Sequence, residues 1–370
     1  MTTQTEPGGA ATVPIADTIA DLTPEWFTEV LRQPGTIAAH RRVTAVRTEP
    51  IGTGQVGLVV RAVLEYDHPG HGAPPSLVVK LPSADPGSRQ MGVAMGLYEA
   101  EVRFYQEIAG RLGPSVPRMH WGEVDPPAGR FTLVLDDLTR TSQVGDMVAG
   151  CSLEQAALAM GALPALQAPV WDDPGLPGRP WLDPVRTDMM FAAVAPTLEP
   201  FLERFAGQLE PEHVALVRRL APNAGDYRTR VWTSPYVVAH SDYRLDNMLF
   251  ATTVGAPPIS IVDWQGARLG PPLLDAAVLL GACMSTEQRR AHERELLHDY
   301  HDRLVSAGIG GFSFDDCLES YRRCSLWPFL LGIPVSVSLV QTERGDAMWA
   351  RLVRGCAELV IDTGAAELLE

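Results

Sequence analysis

The sequence predicts an α+β fold in two lobes: a small N-terminal β-sheet lobe with one main helix, then a larger, mostly helical C-terminal lobe with a small β-island. Three observations predict it. Short apolar runs bounded by Gly and Pro read as strands at Val43–Arg47, Leu58–Tyr66 and Leu77–Leu81, and again at Arg118–Glu123 and Phe131–Leu135. One long helical pattern, Ser88 to Leu112, interrupts them and stops at Gly113-Pro114. After Leu138 helical patterns dominate, from Ser152 to Leu220 and from Leu273 to Leu369, with a β-rich stretch, Tyr236 to Val262, between them. The lobes are therefore set at residues 1–138 and 139–370, a division that suits a chain of 370 residues, too long for one small core.

The remaining elements follow in chain order. Residues 1–14 read as a disordered tail. Thr23-Pro24-Glu25 starts a helix, with Thr at the cap and Pro in the first turn, and the helix should reach about Gln33. Glycines make the turn between the first two strands, and His68 to Pro75 is a Gly/Pro loop. Several prolines punctuate the helices of 152–220, and no repeat is visible.

Composition narrows the function. A net charge of −15 argues against nucleic acid, whose phosphates demand a basic stripe. The longest apolar stretches, Ala276 to Met284 and Pro328 to Val340, are too short or too interrupted to span a membrane. The five cysteines form no C-x-x-C pair and are odd in number, which reads as free thiols in a reducing compartment. Met1 to Val13 lacks Lys, Arg and an apolar core, so a cytoplasmic location is expected.

Of 30 basic residues, 29 are Arg and one is Lys, at position 80 inside the apolar strand Leu77-Val78-Val79-Lys80-Leu81. An ammonium is costly to bury. It is a compact point charge where Arg is a planar fork, so a site that keeps Lys suits one small oxyanion. The alternative is a stem that snorkels to the surface. Ile51-Gly52-Thr53-Gly54-Gln55-Val56-Gly57 joins two strands. Gly52, Gly54 and Gly57 could let backbone N–H groups converge on an anion, or simply make a hairpin turn. On the following helix Leu97, Phe104 and Ile108 share a face, and Glu101 falls in that row. An acid there calls for a cation such as Lys80, unless it reaches solvent at the stripe's edge; Glu99 is a rival for the role.

The sharpest signal is Tyr236 to Phe250: an apolar strand delivers the polar loop His240-Ser241-Asp242-Tyr243-Arg244-Leu245-Asp246-Asn247 and returns into a second strand. A turn leads on to Ile259-Ser260-Ile261-Val262-Asp263. If Met248–Phe250 and Ile259–Val262 pair as a hairpin, Asn247 and Asp263 meet at its open end. An amide oxygen beside a carboxylate suits Mg²⁺. Asp242, on the same loop, could accept a hydroxyl proton. A solvated polar loop, or a hydrolase metal site of His240, Asp242 and Asp263, are the other readings, and His240 reads better as a packed anchor than as a ligand.

These pieces, in this order, resemble the protein-kinase-like fold. More specifically, the chain is similar to the aminoglycoside phosphotransferase and choline kinase-like superfamily, which favours H-x-D-x-x-x-x-N followed by I-D-W-Q. It is nearest there to the ecdysteroid kinase-like branch, on Gly52-Thr53-Gly54-Gln55, Tyr98 to Tyr105 and Leu135-Asp136-Asp137-Leu138. The likeness spans roughly residues 20–350. It implies that Lys80 binds the donor phosphates, Glu101 orients it, Asp242 is the catalytic base, and Asn247 and Asp263 hold Mg²⁺. It also implies that Asp275 braces the catalytic loop and that the hinge from Leu135 to Leu138, with Asp136 and Leu138, presents backbone groups to the base of ATP or GTP. Two departures stand out. Ser241 replaces the Gly of many relatives, and Leu166 to Trp171 replaces a stretch in which many carry His, with Pro164 nearby predicting a distorted helix.

Only Trp264 to Leu274 separates Asp263 from Asp275, which leaves no room for the activation segment that docks a peptide in protein kinases. The expected activity is therefore phosphoryl transfer to a small-molecule hydroxyl. The alternative is a non-catalytic nucleotide- or ligand-binding relative, against which every phosphoryl-transfer position stands intact. Trp171, Trp181, Trp232, Trp264 and Trp327 could wall an acceptor pocket or belong to the core.

Overall fold

The computed structural model describes residues 13–52, 56–68, 72–182, 185–339 and 341–370. The chain clusters into two compact units, Met1–Ala94 with Met119–Asp137, and Met95–Arg118 with Leu138–Glu370.

In the first unit, helix α1 (Pro24–Arg32) precedes strands β1 (Val43–Pro50), β2 (Gly57–Tyr66) and β3 (Ser76–Pro82), helix α2 (Pro86–Ala94), and strands β4 (Met119–Asp125) and β5 (Arg130–Asp136). The Thr23 hydroxyl accepts the Trp26 N–H at 3.2 Å and Pro24 takes the first helical position, so α1 begins where its sequence predicts. The strands form one antiparallel sheet in the order β1-β2-β3-β5-β4. Side chains alternate across it. Val60, Ala62 and Leu64 of β2 and Leu77, Val79 and Leu81 of β3 are buried in one core with Phe27, Val30 and Leu31 of α1. Trp26 meets Trp121 edge-on, centroids 5.6 Å apart. Lys80 occupies the alternate position on β3, paired with Val59 and Leu133, and is half-buried on the other face of the sheet.

The second unit holds α3 (Leu97–Glu107), β6 (Ser142–Val144), α4 (Leu153–Gln167), α5 (Val185–Ala192), α6 (Val194–Phe205), α7 (Pro211–Leu220) and α8 (Tyr227–Val231). Strands β7 (Val237–Ala239), β8 (Met248–Ala251), β9 (Ile259–Ile261) and β10 (Arg268–Gly270) follow. Helices α9 (Leu274–Val278), α10 (Thr286–Ser306), α11 (Phe314–Cys324), α12 (Leu326–Ser338) and α13 (Glu343–Thr363) complete it. The β-island is two small antiparallel sheets, β10-β7 and β6-β8-β9. Among the described residues no helix is long and apolar enough to cross a membrane.

One helix differs from the sequence expectation. The helix expected over Ser88–Leu112 is broken at Met95-Gly96, because Gly96 takes a left-handed backbone (φ +60°) and the Arg186 guanidinium donates to the carbonyls of Met95 and Gly96, both at 2.9 Å. Pro164 lies in the last turn of α4, which runs on to Gln167, and a proline there removes one backbone bond. A Cβ on residue 96 would lie 2.6 Å from Arg186 Nη1. With about 1–2 kcal/mol for a left-handed non-glycine residue, Gly96→Ala should lower unfolding free energy by at least that amount. Denaturant midpoints check this, and an unchanged midpoint would contradict the reading of the break.

Candidate active site

Strands β7 and β8 deliver the loop His240 to Asn247, and the structure shows what holds it. Asp275, buried at the start of α9, accepts the backbone N–H of His240 at 2.9 Å and of Ser241 at 2.7 Å, one on each carboxylate oxygen. Burial raises its pKa above the ordinary carboxylate value, with those two N–H groups and His240 opposing the rise. The His240 Nε2–H donates to the Val262 carbonyl at 2.9 Å, and Nδ1 accepts the Asp242 N–H at 3.3 Å. Both ring nitrogens are thus committed within the loop, so His240 is an anchor and a metal site of His240, Asp242 and Asp263 loses its imidazole. Ser241 has a left-handed backbone (φ +70°); its hydroxyl donates to the Gly266 carbonyl and its own carbonyl accepts from the Trp327 indole. Gly266 must be glycine here, since a Cβ would sit 2.8 Å from the His240 carbonyl.

Asp242 follows, its side chain 40% exposed and so within reach of a solute. Its two oxygens accept from different donors: Oδ1 from Arg244 Nε at 2.8 Å and Oδ2 from Asn247 Nδ2 at 2.9 Å. Burial alone would depress the Arg244 pKa, but Asp242 and Asp246 outweigh it and hold the guanidinium charged. Asn247 also donates from Nδ2 to the Asp242 carbonyl at 2.9 Å. Its amide nitrogen is spent on Asp242, which leaves Oδ1 as the atom that could ligate a metal.

The expected hairpin forms, with Met248 opposite Ile261, Leu249 opposite Ser260 and Phe250 opposite Ile259. The Val262 N–H donates to the Asn247 carbonyl at 3.0 Å, so Asn247 and Asp263 flank the hairpin's open end. Asp263 is held in the left-handed region (φ +68°, ψ +57°), a conformation that costs energy in a non-glycine residue and re-aims its carboxylate. Gln265 donates to Asp263 Oδ2 at 3.3 Å. Two hard oxygen donors, one neutral and one anionic, at the end of a fixed hairpin fit Mg²⁺.

Helix α3 is pinned to the same turn. Phe104 stacks on the fully buried Trp264, centroids 3.9 Å apart and 8° between planes. Glu101 is buried one helical turn before Tyr105, whereas Glu99 is part-exposed. The Tyr105 hydroxyl is buried with no hydrogen-bond partner among the described residues; burial, then Glu101 and Asp263, push its pKa well above that of an ordinary tyrosine.

In the sheet unit, Gly52 is left-handed (φ +75°) and Gly57 opens β2, while Gly54 lies outside the described residues. Asp136 ends β5, with Oδ1 2.7 Å from His120 Nε2. Leu138 belongs to the second unit, and its carbonyl accepts the Thr141 N–H at 3.0 Å. Trp181, Trp264 and Trp327 are core residues; Trp171 and Trp232 are part-exposed. Sequence reasoning missed Arg244, Gln265 and Arg268. Arg244 and Gln265 each lie two residues from a candidate carboxylate, a signal that the loop motif carried.

A sequence profile described as phosphotransferase enzyme family matches residues 67–311. The chain belongs to the phosphotransferase enzyme family. A solved candidate aminoglycoside phosphotransferase from Ralstonia eutropha JMP134 is similar to it at a TM-score of 0.50 and 17% identity, covering 93% of this chain and 98% of that one. A variant of aminoglycoside 2'-phosphotransferase-IIIa, solved with GDP, is similar at a TM-score of 0.50 and 14% identity, covering 92% and 97%. These likenesses establish the fold of this family member as α+β and protein-kinase-like. No curated protein sequence matches the chain.

Proposed function

We propose that this family member moves the terminal phosphoryl group of a nucleoside triphosphate, ATP or GTP, to a hydroxyl of a small molecule, and that its nearest kin are the ecdysteroid kinase-like enzymes. The observation that carries the reading is the joint fixing of Asp242 and Asn247 by one amide, at the open end of the hairpin that bears Asp263. Asp242 accepts the hydroxyl proton as the new O–P bond forms and the bond from the terminal phosphorus to its bridging oxygen breaks, with nucleoside diphosphate leaving. Arg244 and Asn247 hold the carboxylate to one rotamer, so its approach to the hydroxyl is set before substrate arrives. Asn247 Oδ1 and Asp263 would hold Mg²⁺, which when bound neutralises charge on the phosphate oxygens.

In this reading residues 1–138 bind the nucleotide and 139–370 carry the catalytic loop and the acceptor. Lys80 contacts the donor phosphates, Glu101 orients it, Gly52, Gly54 and Gly57 form the phosphate loop, and the backbone at Asp136 and Leu138 meets the base. A cytoplasmic location is part of the proposal, supported by five buried cysteines that are all free.

Incubation with Mg·ATP or Mg·GTP and a panel of small alcohols, read as mass gain of one phosphoryl group, tests the activity. No transfer to any alcohol and no metal-dependent nucleotide binding would overturn it. Lys80→Arg keeps the charge but replaces a point by a fork, and kcat/KM for the nucleotide is expected to fall by roughly 10²-fold, the scale of one electrostatic contact. Near-normal kinetics would remove Lys80 from the site.

A further inference from the structure

Beside the catalytic loop stands a cation whose charge the proposed phosphoryl transfer does not use. Arg268 opens β10, opposite Ala239, the residue before the loop. Its Nε–H donates to the Ser241 hydroxyl at 2.8 Å and to the Gly266 carbonyl at 3.1 Å. Nη1 donates to the Thr187 hydroxyl at 3.0 Å and contacts the Met190 sulfur at 3.7 Å, and the guanidinium lies 4.8 Å from the centre of the Trp327 ring. All these partners are neutral. Among the described residues no carboxylate lies within salt-bridge distance of Arg268. Asp275, an acid whose charge acts on it, is committed to the N–H groups of His240 and Ser241.

A second guanidinium stands close by. Arg186, on α5, donates to the carbonyls of Met95, Gly96 and Trp181. Burial, then the nearby Arg186 charge, pull the Arg268 pKa down to about 9. A largely buried guanidinium whose hydrogen-bond partners are all neutral is better stabilised when an anion joins it. Arg268 is only part-buried, and Nη2 is the edge of the fork that bonds none of these neutral groups.

We propose that the acceptor alcohol carries an anionic group, a carboxylate or its equivalent, and that Arg268 binds it while the hydroxyl meets Asp242, one residue beyond the Ser241 that Arg268 touches. The inference rests on the proposed phosphoryl transfer and narrows its substrate class. A cationic acceptor would face the Arg268 guanidinium here, and its binding would suffer by the same charge that favours an anion.

The test uses matched alcohols on one skeleton bearing a carboxylate, a carboxamide or an ammonium group; glucuronate, its amide and 6-amino-6-deoxyglucose make one such set. Each is assayed with Mg·ATP for phosphoryl mass gain, and separately for thermal stabilisation of the protein without nucleotide. The expected order is carboxylate, carboxamide, ammonium, with KM separated by about 10- to 100-fold between the first two, the scale of one charge-assisted bond. Arg268→Gln should collapse that ratio by raising KM for the carboxylate more than for the amide, and Arg268→Lys should restore part of it. A merely structural role would lower kcat for both alike and overturn the proposal, as would preference for the ammonium compound. If no skeleton is phosphorylated but carboxylates alone stabilise the wild type and not Arg268→Gln, the anion site stands and the transfer reading fails. If neither transfer nor carboxylate-specific stabilisation occurs, the anion site fails.

Discussion

Asp242→Asn is expected to lower kcat by about 10²–10⁴-fold, the range for removing a general base, while Mg·ATP affinity changes little. The carboxylate is held by two donors, Arg244 Nε on one oxygen and Asn247 Nδ2 on the other. An asparagine can accept only one of them. Its own NH₂ must then face a second N–H, so the side chain loses its proton acceptor and its fixed rotamer together. Both losses fall on the step in which the hydroxyl gives up its proton. Single-turnover transfer measures the first effect and calorimetric titration with Mg·ATP the second. Unchanged turnover would remove Asp242 as the base, and a parallel collapse of nucleotide binding would make it a structural residue of the loop.

Asp263→Ala is expected to abolish the metal dependence of nucleotide binding and to lower the rate by about 10²–10³-fold, the scale of one lost electrostatic contact. The left-handed backbone at this position complicates an alanine. Asparagine tolerates that region far better, so Asp263→Asn keeps the turn and removes only the charge. Both variants should lose the Mg²⁺-dependent part of nucleotide affinity, and the asparagine variant should keep the wild-type melting temperature within a few degrees. Retained metal dependence in Asp263→Asn would take Asp263 out of the metal shell.

Much of this could be read from residues that act locally. The strands β2 and β3 were legible because their side chains alternate between a buried face and its opposite, a period that survives without knowledge of the partner strand. The hairpin of β8 and β9 was legible because its two apolar runs and connecting turn are short, and its register then placed Asn247 and Asp263 together. What was not legible depends on distant partners. The break at Met95-Gly96 involves Arg186, some ninety positions away, and an isolated glycine inside a helical pattern does not by itself stop a helix. Strand β6 is three residues that pair only because β8 lies beside them. Arg268 looked like one of many arginines until the neutrality of Ser241, Thr187 and Trp327 around it came into view. The tryptophans show the same limit: Trp264 and Trp327 are core because Phe104 and Arg268 cover them.

A crystal grown with a non-hydrolysable ATP analogue and Mn²⁺ in place of Mg²⁺ decides the matter at the metal. The anomalous signal of Mn²⁺ should appear at coordination distance from Asn247 Oδ1 and the Asp263 carboxylate. A signal bound elsewhere, with Asn247 and Asp263 both out of its shell, would contradict the proposed chemistry at its base.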